Sequence, residues 1–503
     1  MNQSTPYLLL LSMLPVGLKS SQKPSLFVLP DFAPLWEALA TEFVDQVPTP
    51  EGTFEFERRL EFALRDYGRQ IVGSLYNTLA ARLEADTERL RFEGEDYRRL
   101  CQPTMNRRVA TLFGLIRLQR HAYRCSRREA GESCLFLAER ALGLSQSVTP
   151  ALAEVATRLL AEAGATQSAV LTRLKERHGV SMGAPRLRNL AADRAAAWAE
   201  TQTARLADRL LDLLKQAERS RGRFKPVLSV GRDGVTLRDY RHRFFECAGV
   251  GTLRVSDRRG KRLGTVYLGC VPEPGQTTLS RRLTAILVNV LNRWEGTMPR
   301  LCYVTDAGDN ETAYYRDVLR PMKHPRTQAP LSWQRVVDFY HAMERVWTLA
   351  ELLFPTNLRA AKAWARQMGK RLKQPNGPSR LLHSAGAIRA QRNLSKSKEV
   401  EFNRACNYIR RRTKWMQYHD YARYKLPLGS GITEAACKTL VSQRLKLSGM
   451  RWTKTGAQVI LDLRASLLSG TWNAANQDFL NSMPQLKWPT AMNSNQQPLT
   501  LAA

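Results

Sequence analysis

Apolar and polar positions follow three successive rhythms along this chain. Residues 32–98 carry Leu, Ala, Glu and Arg at helical spacing, as in FERRLEFALRDYGRQIVGSLYNTLAARLEA, and predict a helical N-terminal region. Between 107 and 125, RRVATLFGLIRLQRHAYRC alternates apolar and basic residues around Gly114 and predicts a β-hairpin. Leu112, Ile116 and Leu118 fall on one side, while Arg117 and Arg120 interleave to give a basic face suited to phosphate. Helical spacing returns with TPALAEVATRLLAEAGA, then TQSAVLTRLKERHGV, then a long third segment from Pro185. Short Gly turns separate the three, which is a helix-turn-helix rhythm. Arg186 and Arg188 open the third helix, where a recognition helix makes base contacts. An ordinary helical bundle has the same rhythm.

From Phe224 the pattern becomes strand-like: PVLSVGRDG, VTLRDY, FECAGVGTLRVS and GKRLGTVYLGCV. A helix (SRRLTAILVNVLNRW), a buried strand (RLCYVT) and a further helix (QRVVDFYHAMERVWTLAELLF) follow. A basic helical insertion then runs over 351–425. In NLRAAKAWARQMGKRLKQ, Arg359, Lys362, Arg366, Lys370 and Lys373 recur at three- and four-residue steps. They share one helix face with no acid to neutralise them, as a phosphate-contacting stripe would. The boundaries divide the chain into 1–98, 99–222, 223–350, 351–425, 426–475 and a tail, 476–503, whose composition from Met483 onward predicts disorder.

Charge narrows the function. The chain has 503 residues, 77 of them Lys or Arg against 45 Asp or Glu, leaving +32. So large an excess implies a polyanionic partner, and nucleic acid is the default. Eight cysteines without a CxxC pair read as a reduced protein with no disulfide framework. Cys101, Cys125 and Cys134 with His121 fit no standard zinc spacing. The apolar run at 7–18 lacks a basic flank and is too short to span a bilayer, so no membrane partner is expected.

The candidate chemistry rests on three acids. Asp233 in KPVLSVGRDGVTL and Asp306 in RLCYVTDAGDNET each follow a run that reads as a buried strand. Glu434 opens a helix in GSGITEAACKTLVSQRLKLSGMRW, among Lys438, Arg444, Lys446 and Arg451. A lone acid among cations either pairs with one of them or holds a metal. Two strand-end aspartates followed by a helical glutamate make the pattern of a two-metal polynucleotidyl transferase. Asp309 competes with Asp306, and Asp239 with Asp233; any single Asp in such a sequence is also a turn former. Asp338, His341 and Glu344 in VVDFYHAMERVW stand at three-residue steps and read as one helix face supporting the site, with His341 pairing with or capping against Asp338. Trp415 and Trp452 are candidates to stack on exposed bases, or ordinary buried aromatics. No Walker loop, dinucleotide-binding glycine fingerprint or GxSxG elbow is present.

These blocks resemble bacterial insertion-sequence transposases of the DDE, RNase H-like class, in particular the ISKra group. GSGITEAACK with QRLKLSGMRW is the most specific part, TLFGLIRLQRHAY also resembles that family, and the likeness covers roughly residues 100–475. The resemblance implies a mixed fold: a helical, helix-turn-helix-like DNA-binding region, then an α/β RNase H-like catalytic domain with a helical insertion. It implies catalysis by Asp233, Asp306 and Glu434 holding two Mg²⁺ or Mn²⁺ ions, on double-stranded DNA as element ends and target. A homodimer or larger assembly on DNA, cytoplasmic and nucleoid-associated, follows from the same likeness. One departure stands out: many such enzymes carry Lys or Arg seven residues after the glutamate, where this chain has Val441. Lys438 and Arg444 are the nearest substitutes. A catalytically inert DNA-binding derivative and a structure-selective nuclease on the same fold remain the alternatives.

Overall fold

The computed structural model describes residues 31–45, 49–85, 87–92, 94–125, 134–238, 245–483 and 499–500. The apolar run at 7–18, most of the polar tail and Asp239 lie outside the described residues. The chain divides into two compact units, 1–142 with 489–500, and 143–488 with 501–503.

In the first unit, helices α1 (Ala33–Asp45) and α2 (Pro50–Ala85) precede strands β1 (Arg89–Phe92), β2 (Glu95–Thr111) and β3 (Gly114–Cys125) and a short helix α3 (Leu137–Ala141). With β9 (Leu499–Thr500) the strands form one sheet in the order β3-β2-β1-β9. The expected hairpin is present, turning between Thr111 and Gly114. Helix was expected as far as 98, but it ends at Ala85. Arg89 and Arg91 face out while Leu90 and Phe92 are buried, a period of two that a helix cannot satisfy. The basic face is also thinner than the alternation suggested. Arg117 is exposed, but Arg120 is buried, ion-paired with Glu139 and stacked 3.8 Å from the Phe136 ring centre. His121 Nδ1 lies 2.9 Å from Glu84 Oε2.

The second unit opens with α4 (Pro150–Ala161), α5 (Gln167–His178) and the long α6 (Ala184–Glu218). Strands β4 (Val227–Arg238), β5 (Phe245–Ser256) and β6 (Arg262–Cys270) follow, then α7 (Thr277–Arg293), β7 (Arg300–Thr305), α8 (Asp309–Tyr314) and β8 (Trp333–Val337). The sheet order is β6-β5-β4-β7-β8; β4, β5 and β6 pair antiparallel, while β7 runs parallel to β4 and to β8. The remaining helices are α9 (Phe339–Leu353), α10 (Leu358–Leu372), α11 (Gly377–Ala390), α12 (Lys396–Arg412), α13 (Tyr418–Arg423), α14 (Gly431–Ala436), α15 (Gln443–Leu445), α16 (Lys454–Leu468) and α17 (Trp472–Ser482).

Alternating side chains give the sheet two apolar faces. Leu228, Val230, Leu301 and Tyr303 join a core with α6 and α7. Val227, Cys302, Val304 and Val336 join the core built by α9 and the helices of the insertion. The whole is a mixed helix and sheet architecture. Two boundaries differ from the sequence reading, and both matter for the site. PVLSVGRDG and VTLRDY are one strand, so Asp233 lies inside β4 rather than at its end. QRVV is strand β8, so the helix after it starts only at Phe339, with Asp338 as its N-cap.

Candidate active site

Strand register brings the acids abreast. The last parallel pairs are Gly231 with Val304 and Thr305 with Val337. Counting on, Asp233 stands level with Asp306, and Asp306 with Asp338. All three have the parity of Val304 and Val336 and so share the face of the sheet that meets the helical insertion. Glycine explains how a helix reaches that face. A Cβ on Gly231 would lie 2.1 Å from Thr433 Oγ1 and 2.7 Å from Thr252 Oγ1. Without one, Thr433 packs against the sheet, its hydroxyl 2.8 Å from that of Thr252. α14 therefore crosses β4 beside Asp233, carrying Glu434 and leading directly into Cys437.

Asp233 is partly buried, and desolvation raises its pKa above the usual carboxylate value, with Asp306 adding to the rise. The backbone N–H of Gly234 (2.7 Å) and the Cys437 thiol (3.3 Å) donate to its carboxylate and oppose the shift. Burial and the Asp233 charge push that thiol's own pKa up well beyond physiological pH, so Cys437 acts as a neutral donor. Arg232, next in sequence, points to the opposite face and donates to Ser280 (2.8 Å) and Gln276 (3.0 Å). Asp306 Oδ1 accepts from the Gly308 N–H at 3.0 Å. The intervening Ala307 is buried with φ +63°, a left-handed conformation that costs an L-residue about 1–2 kcal/mol.

Two helices supply the rest. Asp338 is fully buried, and its Oδ1 caps α9 by accepting the N–H groups of Tyr340 and His341. Its Oδ2 accepts both the backbone N–H and the hydroxyl of Ser430, the latter at 2.6 Å. The hydroxyl also lies 2.9 Å from Glu434 Oε1. Asp338 therefore does not share a helix face with His341; it holds the turn that carries Glu434. His341 Nε2 is 3.6 Å from Glu434 Oε1, and Nδ1 is 3.2 Å from Glu344 Oε2. Burial pulls the imidazolium pKa down, but Glu344, Asp338 and Asp306 outweigh it and leave it above the ordinary value. The cleft beyond, about 420 Å³, lies between the 306–309 loop, α9 and α12.

The other sequence candidates separate by exposure. Arg359, Lys362, Arg366, Lys370 and Lys373 are all exposed, opposite the buried Trp364, Ala365, Met368 and Leu372 of α10. Lys438 is exposed one turn beyond Glu434, and Arg188 is exposed and 3.3 Å from Gln167. Arg186 is half-buried, its guanidinium donating at 2.6 Å to the carbonyls of Gln146 and Ser147, so it fixes a turn rather than standing free. Arg444 does not reach the surface. It is 1% exposed, donates to the Leu160 carbonyl, stacks on Trp452, and burial takes its pKa down to about 10. Trp415 lies 4.0 Å beneath the Arg335 guanidinium and is packed rather than offered to a base. Asp309 is exposed on the rim of the cleft.

A fourth acid escaped the sequence reading. Glu311, two residues past Asp309, is buried, and a Cβ on Gly308 would meet both its Oε2 (2.5 Å) and Asp306 Oδ1 (3.5 Å). Burial raises its pKa, with the charges of Asp306 and Asp233 contributing to the rise. The departure at Val441 also has a cause. Residues 437–442 form a π-helical turn, which takes about one residue more to come round than an α-turn. The seventh position after Glu434 therefore points into the core, where Val441 is fully buried, and Lys438 keeps the Glu434 side.

The donor chemistry suits a hard divalent cation. Among the described residues no Lys or Arg forms an ion pair with Asp233 or Asp306, and the Asp306 charge adds to the rise that burial gives Asp233 and Glu311. No group of three or more His, Cys, Asp or Glu side chains among the described residues is gathered closely enough to hold a metal ion, and Glu434 is turned to Ser430 and His341. Raised folded-state pKa values carry a sign: Asp233 and Glu311 hold a proton more tightly folded than unfolded. They add stability as pH falls from their raised values toward the ordinary carboxylate range. Metal-free protein should accordingly melt higher in mildly acidic than in neutral buffer. Thermal scans in EDTA should show that gain shrinking in Asp233→Asn.

Comparison with protein-family models and with curated proteins returns no match. No helix among the described residues is long and apolar enough to cross a membrane.

Proposed function

We infer that the protein is a metal-dependent polynucleotidyl transferase on an RNase H-like core. The observation that carries this reading is the levelling of Asp233 and Asp306 on adjacent parallel strands, with Glu434 brought across the same face by α14. The strand order β6-β5-β4-β7-β8, three antiparallel strands followed by two parallel ones, supports it. Within that class, the resemblance of the Glu434 block supports a DDE transposase of an insertion sequence. It would bind the element's ends as a homodimer or larger assembly, in the cytoplasm on the nucleoid.

Two Mg²⁺ or Mn²⁺ ions held through Asp233, Asp306 and Glu434 would supply the charge that activates the attacking oxygen and steadies the leaving one. The chain's own groups do the positioning. Ser430, fixed by Asp338, orients the Glu434 carboxylate. Cys437 directs one oxygen of Asp233. His341, with its raised pKa, holds a proton beside Glu434 more readily than an ordinary imidazole and would be placed to pass it to a departing oxygen. The exposed stripe of α10 offers four cations to the backbone of bound DNA, and Lys373 just past its end, over the Phe339 ring, a fifth.

The test is a cleavage and joining assay on DNA carrying the element's ends, in Mg²⁺ and in EDTA. Metal-dependent nicks at the element boundary followed by joining support the transposase. Binding without nicks, beside an active control, favours the inert DNA-binding derivative; cutting of branched DNA without joining favours a nuclease. The stripe has its own test. Changing Arg359, Lys362, Arg366, Lys370 and Lys373 to Gln should flatten the plot of log affinity against log salt by up to about 0.9 for each phosphate no longer neutralised. An unchanged slope would remove α10 from the interface.

A further inference from the structure

We propose that Tyr408 and Arg412 of α12 are positioning residues for Asp306, so that the helical insertion builds part of the reaction centre as well as a DNA-binding face. The proposal rests on Asp306 being a reacting acid, as read above.

After β7 ends and before α8 begins, the carbonyls of Asp306 and Ala307 have no strand or helix to satisfy them. α12 supplies both partners from about a hundred residues downstream. Tyr408 Oη donates to the Asp306 carbonyl at 2.9 Å, and Arg412 Nη2 donates to the Ala307 carbonyl at 3.0 Å. The two donors brace each other, the guanidinium lying 4.2 Å from the Tyr408 ring centre. Arg345 of α9 also lies 5.2 Å from the same ring centre. Burial pushes the Tyr408 hydroxyl up to about 12, so it remains a donor at working pH.

What they hold is a backbone that resists being held. Ala307 sits at φ +63° with its side chain buried, a conformation glycine adopts freely and alanine does not. Local hydrogen bonds contribute too: the Thr305 hydroxyl accepts the Ala307 N–H at 3.2 Å and Asp306 Oδ1 the Gly308 N–H at 3.0 Å, but the Ala307 carbonyl is reached locally only by Thr312 at 3.4 Å. Released from α12, the loop gains by turning Ala307 back to negative φ, and the Asp306 carboxylate turns with it. Tyr408 and Arg412 do not touch the carboxylate. Their effect passes through the peptide that carries it.

The experiment compares wild type, Tyr408→Phe and Tyr408→Phe/Ala307→Gly as full-length protein, by three measurements. These are hydrogen exchange at 305–309 without metal, Mn²⁺ binding followed by electron paramagnetic resonance, and binding of DNA ends. Losing one hydrogen bond should speed exchange of the Ala307 and Gly308 amides roughly three- to tenfold. The Mn²⁺ concentration for half-saturation should rise by a similar factor, with end binding unchanged. Ala307→Gly should restore most of the Mn²⁺ affinity, because glycine keeps positive φ without help. Unchanged exchange at 305–309, or faster exchange spread across the whole unit, would overturn the clamp. So would unaltered Mn²⁺ binding in Tyr408→Phe. If wild type binds Mn²⁺ but never nicks DNA, the transposase reading falls, while a localised exchange effect still supports the clamp.

Discussion

Replacing Glu434 with Gln is expected to lower metal-dependent nicking by at least about 10²–10³-fold, the scale of losing one group that stabilises transition-state charge. DNA-end binding and melting temperature should stay near wild type. Glu434 is 42% exposed, so a neutral isostere leaves no buried charge behind. Gln also keeps an oxygen for the Ser430 hydroxyl, so the turn at 429–431 should survive. What disappears is one negative charge beside His341. Asp233→Asn and Asp306→Asn should fail to the same degree. Single-turnover cleavage on pre-nicked and intact ends measures all three, and near-normal rates in the Glu434 variant would sink the assignment of that residue.

The second large effect is at a residue with no chemistry. Gly231→Ala places a methyl 2.1 Å from Thr433 Oγ1 and 3.3 Å from Thr433 Cβ, atoms that are buried and β-branched and cannot swing aside. Overpacking of this kind costs about 1–3 kcal/mol. Lifting α14 off the sheet also separates Glu434 from Asp233, so activity should fall further than stability does. Chemical denaturation and nicking measured on the same preparation would show it. Gly234→Ala is the companion variant on the same strand: its added methyl also clashes, with Cys247 on the other face, so it should cost stability without lifting α14. A Gly231 variant as stable and active as wild type would mean that α14 does not need this close approach.

Most of the strands and helices, the hairpin and the exposed basic stripe were legible in the sequence, because each is written in periodicity or local composition. The parts that escaped it depend on what lies across space. VGRDGVTLR reads as two runs because Gly231 and Gly234 look like turn residues, yet in β4 they allow close approach of other elements. Asp338 reads as part of a helix face because Val336 and Val337 suit a helix as well as a strand. Arg444 looked available because nothing in its neighbourhood of the chain announces the Leu160 carbonyl, nearly three hundred residues away. Counting seven from Glu434 assumed an α-helix, and the π-helical turn broke the count. Glu311 had a visible signal, an acid in the first turn after Asp306, but Asp309 drew attention from it.

Asp233 lies inside β4, while Asp306 and Asp338 stand one residue past β7 and β8, so the ladder of three parallel strands sets their level and acts as a ruler up to that point. Neighbouring strands stand about 4.8 Å apart, and a slip of one residue throws a side chain to the opposite face. Spacing between the acids therefore comes in fixed steps. No gradual series of substitutions slides one aspartate a fraction of an ångström along its strand. Fine adjustment is left to the helices, where α14 can tilt and α12 can shift the loop after β7. Over evolutionary time such a centre should be kept whole or lost in a single step at the sheet, while its tempo is tuned from the periphery.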